Sequence, residues 1–255
     1  MVLRLLRWGG ALFGLTFALP LMISLAWWSL QDRPGSWRSA DWGSSGLLPP
    51  AADVPEAALY VMAARTGGTK GAVSVHSWVV FKGSGDANWT RAEVVGWGQP
   101  VRINAYAADA RWYSNDPYVI GRVSGPLVDS LLPDLRRVID TYPWGERGDY
   151  VIWPGPNSNT FVAHILRQLP EIGLTLPPHA VGRAWTGPGA TAVVDGGGDV
   201  HFGYSGMVGL SVGPRTGFEV HLLGQSFGVD VLRPALKLPG IGRVSVWSEK
   251  GDAQS

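Results

Sequence analysis

Trp153-Pro154-Gly155-Pro156-Asn157-Ser158-Asn159-Thr160-Phe161 is the stretch on which the fold turns. Two prolines and a glycine stiffen a turn, and Asn157-Ser158-Asn159 then supplies the short polar residues that open helices. The apolar positions Phe161, Val162, Ile165, Leu166 and Leu169 follow at helical spacing, and Pro170 and Gly173 end the run. A hydroxyl, Ser158, therefore stands at or beside a helix N-terminus, where unpaired N–H groups and the positive dipole end favour an anion.

Upstream, Val75-His76-Ser77-Trp78-Val79-Val80-Phe81 reads as a buried strand carrying one histidine. It lies within a series of short strands with tight turns: Ala57 to Ala64, Ala72 to Phe81, Trp89 to Trp97 and Val101 to Ala107. Such a series predicts an antiparallel meander. In the third strand Arg91, Glu93 and Val95 share one face, with Ala92 and Val94 on the other. Val128 to Tyr142 has helical periodicity despite Pro133. Beyond Pro177 the chain turns glycine-rich, with strands expected at Thr191 to Val194, Val200 to Tyr204 and Phe218 to Leu223. These form a second β-rich lobe or extend the first sheet. Leu232 to Pro239 has a mixed basic and apolar face that either packs in the core or lies on a membrane.

Working outward to the N-terminus, Trp8 to Leu30 contains no charged residue. At 1.5 Å per residue its roughly 23 residues cross a hydrocarbon core of about 30 Å. Arg4 and Arg7 precede it, which places the N-terminus in the cytoplasm and the main domain outside, as a single-pass membrane protein; Arg33 and Arg38 on the far side oppose that orientation. A cleaved signal segment is the rival reading, but the apolar run is long and no small-x-small site follows it. The expected organisation is an anchor over 1–30, a linker or juxtamembrane strap over 31–56, an α+β domain over 57–240 and a tail over 241–255. Twenty-one Lys and Arg balance twenty Asp and Glu, a formal charge of +1, so no field points to nucleic acid. With no cysteine, disulfides, thiolate metal sites and a cysteine nucleophile are all excluded.

Acyl transfer through a covalent intermediate needs a nucleophile, a base and a group that orients the base. Ser158, His76 and Glu93 supply these types, with Asn157 and Asn159 at the oxyanion turn and Tyr150 and Trp153 as candidate cleft walls. Each has a structural reading as well. Ser158 serves as an N-cap, His76 as a core histidine, Glu93 as an ion-pair partner of Arg91 or Arg102, the asparagines as turn braces, and Tyr150 and Trp153 as pins of the turn. His164, His179, His201 and His221 lack metal-ligand spacing, so no metal is assigned, and the chemistry requires no cofactor.

The order of these elements resembles the circularly permuted papain-like fold, which includes lecithin retinol acyltransferase-like and NlpC-related hydrolases. There the histidine precedes a cysteine nucleophile at a helix start; Ser158 holds that position here. More closely, the Trp153 to Phe161 string, the Val75 to Trp78 strand, Glu93 to Gly98 and Leu232 to Gly240 are similar to a bacterial family known only as a domain of unknown function, over roughly Tyr60 to Gly240. The first resemblance implies an α+β fold with helices packed on an antiparallel sheet. It also implies hydrolysis or transfer at an amide or ester of a cell-envelope component, a peptidoglycan peptide or a lipid. A non-catalytic envelope module on the same scaffold is the alternative.

Overall fold

The computed structural model describes residues 2–245. Five strands, β1 (Ala58–Arg65), β2 (Val75–Lys82), β3 (Thr90–Val94), β4 (Val101–Ile103) and β5 (Tyr118–Ser124), form one antiparallel sheet in the order β4-β3-β2-β1-β5. The expected meander accounts for its first four strands; β5 returns to pair with the far edge of β1. β1 and β2 run in register from Ala58 opposite Lys82 to Arg65 opposite Val75, so His76 lies opposite Ala64 near the end of the pair.

The period-2 alternation gives this sheet two buried faces. On one, Val75, Val79, Phe81, Ala92 and Val94 pack against α3 (Pro126–Asp140) and α4 (Ser158–Gln168), through Leu135, Ile139, Phe161 and Ile165. Pro133 is accommodated inside α3 because it sits on the exposed side, where the carbonyl it frees can reach water. On the other face, Tyr60, Met62, Trp78 and Val80 meet an aromatic layer of Trp42, Tyr106, Trp112 and Tyr113. The segment over 31–56 is thus a strap rather than a free linker. Trp42 packs on Trp112 and Tyr113, and Ser44, Ser45 and Leu48 bond to Asp109.

The glycine-rich part is a separate sheet rather than an extension of the first. It comprises β6 (Ala190–Val194), β7 (Val200–Tyr204), β8 (Val208–Gly213), β9 (Gly217–Leu222), β10 (Gln225–Asp230), β11 (Ala235–Leu238) and β12 (Gly242–Ser245), paired in sequence order. The domain therefore runs past the expected end at 240, and the rest of the expected tail, 246–255, lies outside the described residues. Leu232 to Pro239 divides between an exposed turn and β11, which buries Ala235 and Lys237 and exposes Leu236.

Its burial is inverted relative to an ordinary sheet. One row of paired positions runs Val194, Val200, Val212, Phe218, Val229, Leu236, Val244 across all seven strands and faces outward. The inward face is polar: Glu219 bonds Lys237 at 2.5 Å and pairs with Arg183, and Ser211 bridges His201 and His221 at 2.8 and 2.7 Å.

The N-terminal helix has two α-helical parts, α1 (Val2–Phe13) and α2 (Leu19–Ser29), joined by a π-helical turn over Gly14–Ala18. Pro20 accounts for the turn: it offers no N–H and crowds the carbonyl four residues before it, and the ladder widens so that Leu19 N–H reaches Gly14 O. Arg7–Ser29 is long and apolar enough to cross a membrane. Its C-terminal half is docked on the protein. Phe17 packs on Phe227, Ser24 Oγ donates to Ala72 O and Gly240 O, and Trp28 Nε1 donates to Gly68 O. Gly71 leaves the room that the Trp28 indole fills, since a Cβ there would overlap the ring.

Candidate functional site

β2 and β3 bring His76 and Glu93 together because both side chains leave the same face of neighbouring strands. His76 Nε2 lies 2.7 Å from Glu93 Oε2, and both residues are buried. Arg91, two residues back along β3 on that face, donates from Nη2 to the same oxygen at 2.8 Å and from Nη1 to Ala107 O. Its guanidinium also lies over the Trp78 ring, 4.1 Å from the centroid. Burial alone would raise the Glu93 carboxyl, but the bond from His76 and the Arg91 charge outweigh it and hold the group below its ordinary range. Burial lowers the His76 pKa further than the Glu93 contact raises it, so the ring is neutral near pH 7.

These two states fix the tautomer. An ionised carboxylate only accepts, so Nε2 carries the proton and Nδ1 presents the lone pair. Trp112 covers the ring face in a parallel stack, 3.6 Å between centroids. The ion-pair reading of Glu93 holds as well, with Arg91 as the partner; Arg102 instead donates to Trp97 O.

Ser158 is the first residue of α4, not its cap. Asn157 is the N-cap, its Oδ1 accepting from the Asn159 and Thr160 N–H groups at 3.0 and 3.2 Å, and Thr160 Oγ1 accepts from the Asn157 N–H to close a capping box. Asn157 Nδ2 also ties the turn to Ile152 O and Val181 O. Asn159 braces the helix to the sheet, donating to Val75 O and Val181 O and accepting from Ser77 Oγ. The oxyanion role expected of the Asn159 N–H is therefore not open to it, because that group is spent on the cap. Among the described residues, the Ser158 Oγ and N–H have no hydrogen-bond partner.

Both His76 and Ser158 line a cavity of about 430 Å³ at the end of the sheet where β2 begins. The strand alternation sends His76 toward the Trp112 layer and Ser77 toward α4, so histidine and serine reach this cavity from opposite sides of β2. Tyr150 and Trp153 are both on its wall. Tyr150 packs on Gly96, where a Cβ would come within 2.8 Å of the ring, and burial pushes its hydroxyl up to about 12. Trp153 Nε1 donates to Leu223 O, which joins the turn to the β9–β10 hairpin.

Trp112 as the lid over His76, and Leu21, Leu223 and Gln225 as cavity walls, are additions that sequence reading did not supply. Arg91 was legible in the sequence, as one of the two ion-pair partners expected for Glu93.

Asp195, Asp199 and His201 come together as a metal site would, yet their oxygens are already committed. Asp195 accepts from the Gly197 and Asp199 N–H groups and pairs with Arg215; Asp199 accepts from the Arg215 and Thr216 N–H groups and from Thr216 Oγ1. The arginine supplies the positive charge that a cation would otherwise bring.

Residues 56–185 match the model of the family described as Protein of unknown function (DUF3750). The chain belongs to this family. No curated protein matches, and no solved structure does. The DUF3750 region holds the first sheet, both packed helices and every candidate site residue from His76 to Asn159. The seven-stranded sheet and Leu232 to Gly240 fall beyond it, so the cavity of this DUF3750 protein is completed by Leu21, Leu223 and Gln225 from outside the matched region.

Proposed function

We propose that this protein is a membrane-anchored envelope enzyme that hydrolyses or transfers an acyl group at an amide or ester through Ser158, His76 and Glu93. One observation carries the reading: the ionised Glu93 fixes the His76 proton on Nε2, leaving Nδ1 as the base, beside a cavity that also receives the Ser158 hydroxyl, without a hydrogen-bond partner among the described residues, at a helix N-terminus.

In this scheme Nδ1 takes the Ser158 proton as Oγ bonds to the carbonyl carbon. The carbonyl electron pair moves to oxygen, facing the Ser158 N–H and the dipole of α4. Collapse expels the amine or alcohol, which takes the proton from Nδ1, and water or an acceptor hydroxyl then removes the acyl group. Attack requires Oγ and Nδ1 to come within about 3 Å, or slightly looser without substrate. The permuted papain-like relationship belongs to this proposal, as do a peptidoglycan peptide or lipid as the substrate and an orientation with the N-terminus cytoplasmic and the domain outside.

The entry of His76 and Ser158 from opposite sides of β2 favours a second reading, in which the cavity binds a peptide or lipid without chemistry. A hydroxyl-directed fluorophosphonate probe on the full-length protein separates the two. Catalysis predicts an adduct mapped to Ser158 that disappears in Ser158→Ala and falls at least tenfold in His76→Gln. Absence of labelling in the wild type, or labelling unchanged by either substitution, selects the binding cavity.

A further inference from the structure

The seven-stranded sheet turns its polar side chains inward and its apolar ones outward, and we infer that this outward face rests in the lipid bilayer beside the N-terminal helix. The inference builds on the anchored reading above. Across the face, from β6 at one edge to β12 at the other, the paired outward positions hold alanine, valine, leucine, phenylalanine and tyrosine, with Gln225 and Gly242 where β10 and β12 begin and no charged residue among them. Phe202 is 53 % exposed and Phe218 49 %. Seven strands at about 4.8 Å spacing make this surface roughly 30 Å wide. Scattered exposed apolar residues need no explanation, but a contiguous face does.

The bilayer is the occupant because of what the face adjoins. Phe227, in the second outward row beside Val220, packs on Phe17 of the only described helix able to cross a membrane, and Ser24 of that helix bonds Gly240 between β11 and β12. A helix inserted in lipid therefore holds the sheet against the surrounding leaflet. The β10–β11 turn carries the same character, with Val231 77 % and Leu232 72 % exposed at its tip, while Arg233 behind them pairs with Asp230 and donates to Arg215 O. The inward face is consistent with this, since its charges are paired with one another: Glu219 with Lys237 and Arg183, Asp195 with Arg215. An aqueous outer face would call for the opposite distribution.

The absence of cysteine lets single cysteines report position cleanly. Full-length protein carrying Leu210→Cys or Phe218→Cys, with Leu15→Cys on the helix and Asp134→Cys on α3 as references, is spin-labelled and reconstituted in phosphatidylcholine–phosphatidylglycerol vesicles. Phe202→Cys and Val229→Cys are equivalent reporters should either sheet substitution disturb folding. The expected result is that labels at 210 and 218 match the label at 15, with an oxygen-to-nickel-chelate accessibility ratio several-fold above that at 134. Chelate access at 210 and 218 with the label at 15 in lipid overturns the inference and leaves the anchor standing. Chelate access at 15 as well overturns both. Protection from both reagents, with dipolar broadening between labels on separate molecules, assigns the face to a second copy and likewise overturns it.

Discussion

The His76 imidazole lies 6° from parallel with the Trp112 indole, 3.6 Å between ring centroids, while its edge is bonded to Glu93. The indole comes from the loop ahead of β5, so one aromatic residue both covers the His76–Glu93 hydrogen bond and fixes the plane of the ring. Packing on the Trp42, Tyr106 and Tyr113 rings holds that indole in turn. The strap over 31–56 thereby supports the site through Trp42, although it contributes no group to it.

Burial is the largest influence lowering the His76 pKa, and Trp112 supplies much of that burial. Trp112→Ala should therefore raise the His76 pKa toward 6.5, as read by histidine NMR titration, and cost about 3 kcal/mol of stability from the cavity it leaves. Trp112→Phe should retain most of the shift. An unchanged titration in Trp112→Ala would mean that the strands alone keep water from the ring. The same depression sets the pH profile of the proposed activity: with the His76 pKa held below its ordinary value, the rate should persist through pH 6.5 and fall only as His76 protonates below it.

The capping geometry separates two neighbouring residues that read alike in sequence. Asn157→Ala removes the cap bonds to the Asn159 and Thr160 N–H groups and the ties to Ile152 O and Val181 O, and should destabilise the protein by about 2–3 kcal/mol. Ser158→Ala removes no bond within the described protein and should stay within about 0.5 kcal/mol of wild type. Urea denaturation of both variants checks this. Equal losses would mean that the serine hydroxyl has a structural partner after all.

That pair marks where sequence reading stops. Asn157, Ser158 and Asn159 all suit a helix start, and only the backbone decides which one caps, because the choice depends on which residue stays extended. The meander from β1 to β4 was legible because strand alternation and tight turns are local signals, and the sharing of one face by Arg91 and Glu93 followed from the same alternation. Alternation says which residues share a face but not which face turns outward. Thus Phe202 and Phe218, in two of the strands expected of the β-rich lobe, lie on its outside. Likewise, the spacing of His76 and Ser158 could not reveal that they approach their cavity from opposite sides of β2, since α4 crosses beneath the strand through long-range packing. Strands β5, β8, β10, β11 and β12 were missed because glycines and charged or polar residues interrupt the apolar pattern.

The buried histidines make stability itself a pH sensor. Burial holds His179 and His221 down to about 3, so both are neutral in the folded protein, whereas in the unfolded chain each binds a proton as pH falls through about 6.5. The unfolded state then holds more protons, and acidification favours it. The stability these groups contribute is fully present above pH 6.5 and drains away below it by about 1.4 kcal/mol per pH unit for each histidine. Burial would raise the Glu219 carboxyl, but Arg183 and Lys237 outweigh it and hold the group at about 2, so its own contribution is lost only below about pH 4.5. Between pH 7 and 5 the histidines should therefore dominate. The melting temperature of the full-length protein in detergent should fall through this interval, and His221→Gln should flatten the fall by one histidine's share. A melting temperature constant from pH 7 to 5 would mean that water reaches these rings and that the polar layer beneath the seven-stranded sheet is wet.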